Sequence, residues 1–263
     1  HRGDNPVNWA YEKKSWRLKT RKKNLINRKR VLNYVATQEP NYISNHAAYT
    51  VGKWANVLSP ESRMVEFFIN EESYGIYNET EHLDESFLRN NNLMPVNIYK
   101  GEQVNGERKM MLDKDLFNNP TLWSKTAFFN QLAEDDFSDL SYFLEILRKA
   151  ETSETAFNQL KKVARFEDWA KFAAFQTIVQ SWHNGPNANM RLVLDPWRGN
   201  VLPILSDTNL SLCGGYTCNE QTKGKWTLDV TTDPLLHIYH GSSEFLVEKY
   251  RHLYKLVKNG VLL

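Results

Sequence analysis

Apolar residues recur along this chain with two different periods, and the change comes soon after Lys100. Before it the pattern is mixed. SWRLKT alternates as a half-buried strand does, and RMVEFFIN and YGIYNETE are strand-like runs on either side of the polar turn residues Asn70 to Ser73, which is the signal of a hairpin. VNIYKG reads as a further strand. Between these, NYISNHAAYTVGKWANVL places Ile43, Ala47, Val51 and Trp54 at helical spacing and predicts an amphipathic helix, ended by Pro60.

From about Leu116 the period is helical. TLWSKTAFFNQLA, DLSYFLEILRKA and ETAFNQLKKVA each carry apolar residues three and four apart. FEDWAKFAAFQTIVQSW is the longest and most apolar of these runs, which predicts a helix buried through Trp169, Phe172, Phe175 and Val179 that delivers His183 and Asn184 to its C-terminal end. NMRLVLD and NVLPILSD then predict two short strands joined by the turn PWRGN. PLLHIYHG and SSEFLVEKYRHLYKLVKNG predict helices, the second capped by Ser and stopped at Gly260. The order predicts an α+β chain with a β-rich first lobe, residues 1–112, and a mainly helical second lobe, residues 113–263, with a small hairpin set into it.

Composition adds limits. With 263 residues and 41% apolar content the chain can bury a substantial core. A net charge of +2 gives no global field toward nucleic acid, and no apolar run approaches the length of a membrane span. The charge is uneven, however: KKSWRLKTRKKNLINRKR, residues 13–30, contains no acid, which suits either a polyanion or a solvated strand edge. Cys213 and Cys218, in CGGYTC, permit a small disulfide loop in an oxidising compartment and make a poor zinc site. No signal peptide opens the chain, and the start at His1 inside a motif-like segment implies residues before it. The tripeptide Arg2-Gly3-Asp4 is short enough to arise by chance.

The chemistry gathers in QSWHNGPNANMRLVLDPWRGNVLPILSDTN, residues 180–209. Kinase-like sites set an Asp and, five residues on, an Asn in the catalytic loop, with a later Asp after a strand holding the metal. Here Asn184 and Asn189 have that spacing and Asp207 follows the strand. Asp207 offers a hard anionic oxygen and Asn189 a neutral amide oxygen, a pair suited to magnesium or manganese, and the hairpin between them would bring both to one place. The plainer reading is an Asn-rich turn and an Asx turn or helix cap at Asp207. His183 is a positioning residue or simply a histidine at a helix end. No G-x-S-x-G elbow, Cys–His pairing or Walker loop is present.

Several segments, in order, resemble the CotH family of spore-coat-type protein kinases. RG followed by KKSWRLK resembles the family's opening motif, SPESRMVEFFINEESYGIYNETEHLDESFL its strand, Asn turn, GxY and Glu segment, and NIYKGE its next strand and Lys. The 180–209 segment resembles its catalytic segment, and the likeness runs from about Arg2 to Leu253. The resemblance implies a two-lobed atypical kinase fold, ATP with Mg or Mn in the cleft, and transfer to Ser or Thr hydroxyls of protein substrates, with no nucleic acid partner. It implies Asn189 and Asp207 as metal ligands, Lys19 or Lys100 as the phosphate-contacting lysine, and Glu81 as a residue lining the nucleotide cleft. A secreted, cell-surface or spore-coat location goes with it. Asn184 stands where the family has its catalytic Asp, Ser206 and Asn209 replace a Trp and a second Asp, and Ser44 stands where many members have Arg. These departures leave a second expectation, a pseudokinase acting as a surface or spore-coat interaction module.

Overall fold

The computed structural model describes residues 12–21, 23–36, 43–102, 116–129, 131–180, 189–208, 228–229, 231 and 233–260. Polar turns set its strands. Asn70 and Glu71 both take the left-handed conformation (φ 49 and 69) and fold β3 (Ser62–Ile69) back on β4 (Glu72–Glu81), as a two-residue hairpin turn requires. With β1 (Trp16–Lys19) and β2 (Val31–Val35) they form an antiparallel sheet in the order β1-β2-β4-β3.

A second antiparallel sheet has the order β6-β5-β7-β8, from β5 (Asn97–Gly101), β6 (Trp123–Ala127), β7 (Met190–Asp195) and β8 (Asn200–Pro203). β5 lies between β6 and β7, so this sheet is built from both halves of the chain. TLWSKTA, expected to be helical, is β6 preceded by a 3₁₀ turn over Pro120–Leu122. Apolar residues four apart share a face in a strand as well as in a helix, and here the β5 ladder decides. Trp123 is buried, donates its Nε1 hydrogen to the Leu116 carbonyl at 2.8 Å and meets Phe117 edge-on.

Seven helices occur among the described residues: α1 (Ser44–Trp54), α2 (Glu85–Asn90), α3 (Ser138–Ala150), α4 (Glu154–Val163), α5 (Phe166–Val179), α6 (Pro234–His240) and α7 (Ser243–Lys258). Ser153, Asp233 and Ser242 cap α4, α6 and α7 by accepting backbone hydrogens of the first turn, Ser242 as the sequence predicts. α5 is the core helix. Trp169, Phe172, Phe175 and Val179 are buried as expected, and Trp169 donates to the Val201 carbonyl of β8 at 2.9 Å. The helix ends at Gln180, left-handed at φ 52. No helix among the described residues is long and apolar enough to cross a membrane.

α1 forms where its spacing predicts and buries Val51 as expected, but the rest of its inner face differs. Ile43 and Trp54 are exposed, whereas Ser44, Asn45, Ala48, Tyr49 and Gly52 are buried. The helix therefore turns polar side chains inward, which a purely hydrophobic template cannot anticipate.

Candidate functional site

The β7–β8 hairpin ends where Asn189 and Asp207 lie. Past β8 the ladder continues for one more pair, with the Ile204 amide donating to the Arg191 carbonyl at 3.0 Å, so the two strands leave the sheet together at this end. Asn189 and Asp207 then both adopt left-handed backbone (φ 62 and 49). Asn and Asp tolerate this region better than other non-glycine residues, and such conformations gather at sites that the surrounding structure over-determines.

For Asp207, α1 and the chain just after it supply that determination. The Asp207 amide donates to the Tyr49 hydroxyl at 3.0 Å, the Thr208 hydroxyl donates to Asn45 Oδ1 at 2.6 Å, and the Leu205 amide donates to the Leu58 carbonyl at 2.8 Å. Gly52 makes the approach possible: a Cβ there would lie 2.2 Å from Leu205 Cδ1 and 2.5 Å from Ser59 Oγ. Asp207 itself is half-buried, with backbone fixed on both sides.

Beneath this end runs a chain of alternating charges. Arg191, one residue into β7 from Met190, is buried and pairs with Glu102 at 2.6 Å; Glu102 also holds Lys100 at 2.5 Å. Lys100 and Arg191 are direct cross-strand partners, so their like charges are adjacent and Glu102 is what reconciles them. Burial pulls the Arg191 guanidinium below its ordinary pKa against the opposing pull of Glu102, Asp207 and Tyr49. Burial raises Glu102, but Arg191 and Lys100 outweigh it and hold the carboxyl below its usual range. Glu102 is therefore an anion at neutral pH, and Lys100 is a positioned cation.

The remaining expected residues are distributed differently. Lys19 is exposed on β1, in the other sheet, opposite Val31. Glu81, at the end of β4, is buried; it accepts the Glu61 amide at 3.0 Å and the Asn90 side-chain amide, and burial raises its pKa. It thus ties β4 to β3 and α2. Asn184, His183, Asn209, Cys213, Cys218 and the Arg2-Gly3-Asp4 tripeptide lie outside the described residues.

The structure also shows polar residues that the sequence reading missed. Across one face of the first sheet, Arg17, Asn33, Thr80 and Ser62 stand in register, with Arg17 Nε donating to Asn33 Oδ1 at 2.9 Å and His46 of α1 3.2 Å from Ser62. Asn78 Nδ2 and Thr80 Oγ1 are buried on this face with no hydrogen-bond partner among the described residues. Such atoms cost about 1–3 kcal/mol each, a cost that a water or a polar ligand would remove. Their signal was polar residues at alternate positions inside strands. Asn45 and Tyr49, four apart on α1, left a similar one.

Asn189 and Asp207 would give a metal ion only a small set of ligands. Among the described residues no three His, Cys, Asp or Glu side chains converge. One carboxylate and one amide oxygen fit an ion that keeps several waters and takes its other ligands from phosphates, as magnesium does, better than they fit a closed protein cage. A family model described as CotH kinase protein matches residues 1–259 of the 263. No curated protein matches the chain.

Proposed function

The chain belongs to the CotH family, and from that premise we propose that it is an atypical protein kinase that binds ATP with magnesium or manganese at the open end of the β7–β8 hairpin. Family membership suggests a kinase-like or spore-coat role; the finer reading rests on the site. The observation that carries it is the pair of left-handed residues, Asn189 and Asp207, at one end of the hairpin, with α1 pinning the 205–208 segment. Asp207 would give the metal its anionic oxygen and Asn189 a neutral one. The ion would neutralise charge on the phosphates as the terminal phosphoryl group moves.

Of the two candidate lysines, Lys100 has the stronger support. Glu102 holds its ammonium in place before any phosphate arrives, and pre-positioned charge is what phosphoryl transfer draws on. Lys19 stays a secondary candidate on the first sheet, as does Glu81. The fold that goes with this reading is two-lobed and kinase-like, with the nucleotide in the cleft and Ser or Thr hydroxyls of a protein as acceptor.

Asn184 sets the rate in this reading. An amide oxygen orients a hydroxyl but takes no proton, and general-base assistance is worth about 10²–10⁴-fold. A loose transition state lowers that demand without abolishing it. The Asn184→Asp variant should therefore raise phosphate transfer from labelled ATP to a protein acceptor by about 10²-fold or more, with ATP affinity unchanged. The second reading, a pseudokinase serving as a surface or spore-coat interaction module, is favoured by that same Asn184. It would stand if neither wild type nor variant transferred phosphate or bound nucleotide.

A further inference from the structure

The β1–β2 hairpin carries charge that the rest of the molecule opposes. Residues 13–30 contain ten Lys and Arg and no acid, which leaves 23 basic against 31 acidic residues elsewhere. The hairpin narrows to a two-residue turn, with Ile26 and Lys29 exchanging backbone hydrogen bonds of 3.1 and 2.9 Å around Asn27 and Arg28. Arg21, Lys23 and Arg28 are exposed around this tip, while Lys29 turns inward to pair with Glu61. Between the cations two apolar side chains face solvent: Leu25, 48% exposed, and Ile26, 42% exposed.

Lysines that blunt an edge strand explain cations along β1, but not an apolar pair at the tip of the turn beyond it. Arg28 adds a second anomaly. Its φ is +63, where Gly or Asn is the low-strain choice, yet a cation is kept there.

We propose that this hairpin docks the protein on an anionic lipid surface, with Leu25 and Ile26 entering the headgroup layer and Arg21, Lys23 and Arg28 meeting lipid phosphates. The charge imbalance orients the approach, because a negative surface attracts the hairpin and repels the remainder. Reversible membrane anchoring usually takes two signals, and here a basic cluster and an apolar wedge share one turn. Nucleic acid or an acidic protein segment would use the cations but leave Leu25 and Ile26 in water. The proposal is independent of nucleotide binding.

Co-sedimentation with vesicles of phosphatidylcholine alone, or of phosphatidylcholine with phosphatidylglycerol, tests it. The protein should partition onto the anionic vesicles only, and less so as salt rises. Arg28→Gly should bind them about five-fold more weakly while melting at or above the wild-type temperature, since glycine relieves the positive φ. The paired change Leu25→Ser and Ile26→Ser should weaken binding about ten-fold with the melting temperature little changed. No partition onto anionic vesicles, or partition that the serine pair leaves intact, would overturn the proposal. Retention on a short DNA duplex or on poly-glutamate without vesicle binding would also overturn it, and would reassign the patch to that partner.

Discussion

An aspartate at φ 49 costs on the order of 1–2 kcal/mol relative to ordinary backbone unless its surroundings compensate. At Asp207 the Tyr49 hydroxyl and the neighbouring Thr208–Asn45 bond do so. The sequence offers Asp207 and Asn189 as candidate metal ligands on side-chain type and spacing alone, and the left-handed backbone they share is what the structure adds. The grip of Tyr49 and Asn45 on Asp207 and Thr208 was not legible there, because these residues lie more than a hundred positions earlier and chain separation hides contact. The same holds for Arg191 and Glu102, which look like ordinary strand charges until the β5–β7 register sets them side by side. A half-buried group makes a residue-scale prediction. Burial, with help from the Lys249 ammonium and against the pull of Asp229, lowers His240 from 6.5 to about 4. Between those values the unfolded chain binds the proton and the fold does not, so stability falls as pH drops through that window and the loss is complete below about 4. Melting temperature should decline by a few degrees between neutral pH and the lower end of the window, and His240→Asn should flatten the decline. An unchanged slope in the variant would assign the acid sensitivity to other groups.

Elements with strong periodicity were the easiest to foresee. α5 is mostly apolar from Phe172 to Val179 and reads as core, and the polar Asn70–Glu71 turn between two strand-like runs reads as a hairpin. β6 was misread because five residues carry too little pattern to separate a strand from a helix, and the partner strand made the choice. α1 was foreseen as a helix, and Val51 is buried as its spacing predicts, but the buried face is rotated away from Ile43 and Trp54. Hydrophobic spacing assigned Ile43 and Trp54 to the core, whereas the inner face holds the polar groups that grip 205–208. Gly52 gives this element its test. Glycine inside a helix normally costs about 1 kcal/mol relative to alanine, so Gly52→Ala would stabilise an isolated helix. In place, its Cβ would collide with Leu205 and Ser59, and overpacking of this kind costs about 1–3 kcal/mol. Chemical denaturation should show net destabilisation, with ATP affinity reduced because the 205–208 segment moves. A more stable protein with unaltered affinity would mean that α1 does not hold the site in place.

At the scale of the whole molecule, the two sheets divide the candidate chemistry. The first carries Lys19, Glu81 and a row of polar side chains buried at Asn33, Asn78 and Thr80; the second carries Lys100, Arg191 and the hairpin that ends at Asn189 and Asp207. α1 touches both, through His46 on the first and through Asn45 and Tyr49 on the segment after β8. Sequence alone gave the α+β class and the family, since motif order survives along almost the whole chain. It could not show that β5 joins strands from the later half, because strand pairing depends on long-range register rather than local pattern. The most direct test of the central claim is a thermal shift with ATP, with and without manganese, on the wild type and on Asp207→Ala. At about a hundred times the dissociation constant a bound ligand adds roughly 2.7 kcal/mol of stability, which should raise the wild-type melting temperature by several degrees with manganese present. That shift should vanish in Asp207→Ala. No metal-dependent shift in the wild type, or an equal shift in the variant, would contradict a nucleotide site built on the end of the β7–β8 hairpin.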